Sequence, residues 1–99
     1  MNFTVTRLCG GKALMVIPRE DVDIDLEHAP DTLGEEFVVK NDYEGLMLVL
    51  NWKDMDVTLY PQGKIMFYPI DDKNLAIEYA ISIFNKIHDC QIEDSVNKN

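Results

Sequence analysis

The chain has 99 residues, 46% hydrophobic and 27% charged, and its 9 Lys and Arg against 18 Asp and Glu leave a net charge of −9. That length supports one modest core without staples. The acidity keeps a chain soluble and argues against nucleic acid and anionic membranes, which are held mainly through Lys and Arg. No apolar run reaches the roughly 20 residues of a membrane span, and MNFTVTRLC lacks a signal peptide's apolar core and cleavage site, so no membrane partner and a cytoplasmic location are expected.

In chain order, Phe3 to Leu8 alternates in the manner of a strand, and Gly10-Gly11 leads to a second apolar run, Ala13 to Ile17, closed by Pro18. Asp21 to Leu33 carries capping acids and then Ile24, Leu26, Ala29 and Leu33 at loose helical spacing. Pro30 limits it to a short helix or two turns, and Gly34 is a natural stop. Glu36 to Lys40 reads as a strand, Asn41 to Gly45 as a turn, Leu46 to Trp52 as a continuous apolar strand, and Lys53 to Asp56 as the next turn.

The stretch from Asp56 to Ile87 organises the rest. Val57, Leu59, Ile65 and Phe67 alternate with Thr58, Tyr60, Met66 and Tyr68, the period of a half-buried strand. Pro61-Gln62-Gly63 folds the two runs into a hairpin, Pro69 ends the second, and Asp71 or Asp72 can cap a helix. Leu75 to Ile87 is apolar over a wide arc, with Asn74, Glu78, Ser82, Asn85, Lys86 and Asp89 on one narrow stripe. The order is β-β-α-β-β-β-β-α. It predicts an α+β domain over residues 1–93: a curved antiparallel sheet of five or six strands, with a long C-terminal helix and one short helix on one face. A polar tail, 94–99, is expected to be disordered.

Chemistry-bearing residues do not assemble into a motif. Cys9 and Cys90 are too few and too far apart for a disulfide framework and read as free thiols. His28, His88 and the cysteines lack zinc-ligand spacing, and nothing marks an orienting group or oxyanion hole beside a Cys–His pair. Asp21, Asp23, Asp25 and Glu27 alternate, but without the glycine and closing glutamate of a calcium loop they read as a solvated helix start. Gly10-Gly11-Lys12 lacks the rest of a P-loop. Trp52 beside Lys53 could serve as a partner hot spot, or end a strand in the core. No catalytic residue, metal or cofactor is expected.

Ala13–Pro18, Ile24-Asp25-Leu26-Glu27, Tyr43-Glu44-Gly45-Leu46 and, above all, Leu59-Tyr60-Pro61-Gln62-Gly63-Lys64 carry a resemblance. Over about residues 13–88 the chain resembles one half-repeat of the TATA-box-binding protein, in which an L-x-F-S-S-G-K hairpin precedes a short strand and a long helix. It is also similar to small archaeal proteins of this half-repeat fold. The resemblance implies helices on the convex face of the sheet and a binding surface on the concave face. Family members wedge two phenylalanines from that face between base steps; Tyr43 and Tyr60 occupy those places. Met15, Met66 and Tyr68 match groove-contacting positions, Ala13 a base-reading one, and Lys64 a phosphate-binding cation. Asp42, Val49 and Asp54 stand where other such cations would be.

Ala13, Met15, Tyr43, Tyr60, Met66 and Tyr68, with Lys64, are therefore the candidate binding face. Large apolar patches rich in Met and Tyr mark docking surfaces; alternatively the N-terminal segment or the tail folds over this one. The expectation is a non-enzymatic module that binds a protein partner or a second copy of itself. The alternative is a nucleic-acid binder related to the TATA-box-binding protein.

Overall fold

The computed structural model describes residues 2–8 and 11–87. Its elements are β1 (Phe3–Arg7), β2 (Leu14–Pro18), α1 (Ala29–Leu33), β3 (Val38–Asp42), β4 (Leu48–Trp52), β5 (Met55–Leu59), β6 (Ile65–Tyr68) and α2 (Lys73–Ile87). The fold is α+β: one open antiparallel sheet of six strands in the order β1-β2-β6-β5-β4-β3, with its core between the sheet and the helices. Cys9, Gly10, His88, Asp89, Cys90 and the expected tail 94–99 lie outside the described residues.

Strand alternation builds the core. Leu14 and Val16, Leu48 and Leu50, Val57 and Leu59, and Ile65 and Phe67 are buried against α2. Residues directly opposite in an antiparallel pair project to the same face. The register Val16↔Ile65, Leu59↔Ile65 and Leu48↔Leu59 thus carries one apolar row across four strands. From α2, Ala76, Ala80, Ile83, Phe84 and Ile87 meet this layer. Phe84 stacks on Phe3 with ring centroids 5.5 Å apart, and Tyr79 meets Trp52 edge-on at 5.1 Å. Of the two capping candidates, Asp72 is the one used. Its carboxylate accepts the backbone N–H groups of Asn74 and Leu75 at 2.9 and 3.2 Å, partners the first helical turn otherwise lacks.

The turns explain where the elements depart from the expected bounds. The turn after β3 centres on Glu44 and Gly45, both at positive φ (41° and 83°), and the Leu46 N–H closes it on the Tyr43 carbonyl. Leu46 is therefore a turn residue, and β4 starts at Leu48 rather than Leu46. The next turn is only Lys53-Asp54, at φ 53° and 63°, the primed geometry that matches strand twist. Met55 and Asp56, expected in that turn, belong to β5. β3 begins at Val38 rather than Glu36, because Phe37 turns inward to stack on Trp52 at 4.6 Å.

Between Asp21 and His28 no helix forms. Ile24 and Leu26 are buried and Asp23, Asp25 and Glu27 exposed, the alternation of extended chain, and the Ile24 N–H donates to the Pro61 carbonyl at 2.9 Å. The solvated helix start expected here reduces to α1 alone. Trp52 is buried, which settles it as core, and the Lys53 ammonium lies 5.1 Å from its ring centre.

Candidate functional site: the open sheet face

Side chains that alternate with the core residues project from the other face of the sheet, and the register arranges them in rows. The middle row runs Thr6, Met15, Met66, Thr58, Val49, Asn41. Extending each register by one residue gives a row on either side. One contains Thr4, Ile17, Lys64, Tyr60, Met47 and Tyr43; the Tyr60 N–H bond to the Lys64 carbonyl and the Tyr43 N–H bond to the Met47 carbonyl, each 3.0 Å, hold its turns in register. The other contains Leu8, Ala13, Tyr68, Asp56, Asn51 and Val38.

All seven sequence-predicted residues, Ala13, Met15, Tyr43, Tyr60, Lys64, Met66 and Tyr68, fall in these rows. Tyr43 and Tyr68 are the most open of its aromatics, at 45% and 49% exposure, while Met15, Tyr60 and Met66 are half-buried by their neighbours. Thr58, only 4% exposed at the centre, is roofed by the surrounding side chains. Among the described residues, every buried apolar side chain of the core lies on the α2 side, and none of the open-face residues belongs to that cluster. The N-terminal segment does not fold over the face. It pairs with β2 as β1 and becomes the sheet edge.

Ile17, Met47 and Val49 were missing from the expected face. Their strands read as unbroken apolar runs (LMVI and LMLVL), in which alternation gives no sign of which residues point outward. Thr58 alternates with Val57 and Leu59 and so reads as outward, but like Thr4 and Thr6 it is absent from the expected face, because a threonine does not by itself mark a docking surface.

The face is poor in charge for so acidic a chain. It carries Lys64, Arg19, whose Nε–H donates to the Thr4 hydroxyl at 3.4 Å, Asp56, and Lys40, the residue at the β3 bulge, whose ammonium reaches Asp56 at 2.8 Å. Both partners of that ion pair are well exposed, so it contributes little stability. The acids gather around the rim of the face: Asp25, Glu27, Asp42 and Glu44 line a notch between residues 24–27 and the turn after β3, and Glu20, Asp21 and Asp23 share a hollow with Ile17 and Lys64. Among the described residues, no group of three or more His, Cys, Asp or Glu side chains could hold a metal ion. No helix among them is long and apolar enough to cross a membrane.

His28, one of the zinc-type residues in the sequence, is engaged by Asp25, whose other carboxylate oxygen accepts the Glu27 N–H at 3.1 Å. That hydrogen bond raises the His28 pKa, aided by the charge of Asp25, and lowers the Asp25 pKa. The His28 contribution to stability is present below the ordinary histidine range and lost as pH rises through the raised value. The Asp25 contribution is present above the ordinary carboxylate range and lost as pH falls through the depressed value. Both side chains are largely exposed to solvent, so the readout is titration rather than melting. In NMR, Asp25→Asn should move the His28 midpoint downward; an unmoved midpoint would mean that the pair does not form in solution.

These features define a class: an α+β protein whose single antiparallel sheet is covered on one face and leaves a weakly charged, tyrosine- and methionine-bearing face open among the described residues. Compared with family models, curated proteins and solved structures, the chain matches none.

Proposed function

We propose that this chain is a non-enzymatic binding module that docks a protein through the open face of its sheet. The carrying observation is the segregation of charge: a chain of net charge −9 presents one broad surface with a single carboxylate, Asp56, amid Met, Tyr, Thr and Val. Protein interfaces are depleted of charge at their centre and enriched in Tyr and Met. The resemblance to a TATA-box-binding-protein half-repeat, a fold that binds DNA through the concave face of its sheet, supports the choice of surface and, for the ligand, the nucleic-acid alternative. The titratable pair with displaced pKa values, Asp25 and His28, is exposed and off this face, unlike the buried groups that acid-base catalysts use. A cytoplasmic setting belongs to the proposal and rests on two cysteines too few for a disulfide framework.

Half-exposed Tyr43 and Tyr68 favour a second reading, single-stranded nucleic acid stacked on the sheet. Its cations count against it. Besides Lys40, which is engaged by Asp56, the face offers only Lys64 and Arg19, and backbone affinity rests mainly on cations that neutralise phosphates.

The experiment compares the wild type with Tyr60→Asp/Met66→Asp. Both substitutions lie on the open face, so the double variant should keep its circular dichroism and thermal midpoint and lose the proteins captured by the wild type from its native extract. Unchanged capture would overturn the docking reading. Fluorescence anisotropy with duplex and single-stranded probes near physiological salt should show no appreciable binding; micromolar binding that weakens steeply with salt would establish the nucleic-acid reading instead.

A further inference from the structure

The open face is self-complementary, and we infer that its partner is a second copy of this chain, packed face to face about a two-fold axis parallel to the strands between β5 and β6. This rests on the docking reading above and specifies its occupant. Six strands have their midline between β6 and β5. A two-fold axis along that midline lays β2 of one copy over β4 of the other, and β6 over β5.

The resulting facing pairs follow from the rows. Met15 meets Val49, Ile17 meets Met47, and the Tyr68 hydroxyl meets the Asp56 carboxylate. Lys64 lands on the Tyr60 ring, an arrangement that favours a cation. No charge on the face opposes a like charge; Met15 and Ile17 meet apolar Val49 and Met47, while Ala13 and Met66 meet the uncharged Asn51 and Thr58. The symmetric arrangement is the commonest for homodimers.

Edge pairing is the competing way to join two copies, and the sheet blunts it. β1 occupies the edge of β2 over five residue pairs. At the opposite edge, β3 carries a bulge between Val39 and Asn41 with Lys40 in it, devices that discourage strand addition. The available area fits a modest dimer. Six strands of about five residues, at about 4.8 Å between strands and about 3.4 Å per residue, make roughly 500 Å² of sheet per copy. Two faces give roughly 1,000 Å², where specific interfaces begin. The acids of the rim notch, Asp25, Glu27, Asp42 and Glu44, lie outside the rows themselves, and salt screens repulsion between the two copies.

The test is sedimentation equilibrium of the full chain from micromolar to sub-millimolar concentration. The wild type should rise toward the dimer mass. Met15→Lys and Val49→Asp should each stay monomeric, with unchanged circular dichroism. Mixed in equal amounts they should associate, because Lys at 15 then faces Asp at 49 across the axis. Ile81→Lys, on the exposed side of α2, should behave as the wild type. A wild type that is monomeric throughout, or mixed variants that stay apart, would overturn the inference. If the wild type is monomeric while Tyr60→Asp/Met66→Asp still abolishes capture of another protein, the second-copy inference fails and the docking reading stands. If capture is also unchanged, both fail.

Discussion

Ile83→Ala should lower stability by about 2–5 kcal/mol, the usual cost of truncating a buried aliphatic residue, where the lost transfer energy is joined by that of the cavity left behind. Ile83 is fully buried in α2 among Ala80, Phe84 and Ile87, against the sheet side that carries Val16, Phe67 and Ile65. Small domains have total stabilities of about 5–15 kcal/mol, and each kcal/mol moves the midpoint of a domain this size by about 4–8 °C. The thermal midpoint should therefore fall by about 10 °C or more. Ile81→Ala is the control: at 44% exposure it should cost far less. Equal losses at 81 and 83 would mean that α2 presents a different face to the sheet.

That pair of residues also shows how far the sequence could be read. Leu75 to Ile87 has an apolar arc wide enough to imply burial nearly all round, yet Ile81 is exposed and Ile77 only half-buried. An arc reports what a helix could bury, and the amount buried depends on how many layers surround it. Among the described residues, α2 has the sheet on one side and, of the helices, the five-residue α1 beside it. The β5–β6 hairpin was legible because apolar and polar residues alternate through it, so Val57, Leu59, Ile65 and Phe67 could be assigned inward and Tyr60, Met66 and Tyr68 outward. In β4 both faces are apolar, and the outward Met47 and Val49 could be assigned only once Leu48 and Leu50 were seen against α2. Ile24 and Leu26 misled for a related reason. Two buried residues in a short acidic stretch fit loose helical spacing as well as the extended chain they occupy, and the Ile24 bond to Pro61 that decides between them is long-range.

Gly63→Ala should cost about 2–5 kcal/mol, more than a hairpin glycine usually would, because two penalties coincide. The first is conformational. Gly63 sits at φ +98° in the three-residue loop Pro61-Gln62-Gly63, where its N–H closes the turn on the Tyr60 carbonyl at 2.9 Å. A side chain in left-handed backbone costs roughly 1–2 kcal/mol. The second is steric. A Cβ there would lie 3.0 Å from Pro18 Cγ and 3.1 Å from Val22 Cβ, both tighter than ordinary van der Waals contact. Pro18 is a rigid ring at the end of β2, and Val22 belongs to the segment anchored on Pro61 by the Ile24 bond, so neither yields readily. Overpacking of this kind costs about 1–3 kcal/mol. Gly45→Ala separates the two penalties, since Gly45 has a similar φ of +83° but nothing within 4 Å of its would-be Cβ. It should lose only the conformational part, about 1–2 kcal/mol by the same argument. Denaturant melts of the two variants measure the difference. If Gly63→Ala and Gly45→Ala lose the same amount, residues 18 and 22 do not press on the loop that sets Tyr60 and Lys64 in the open face.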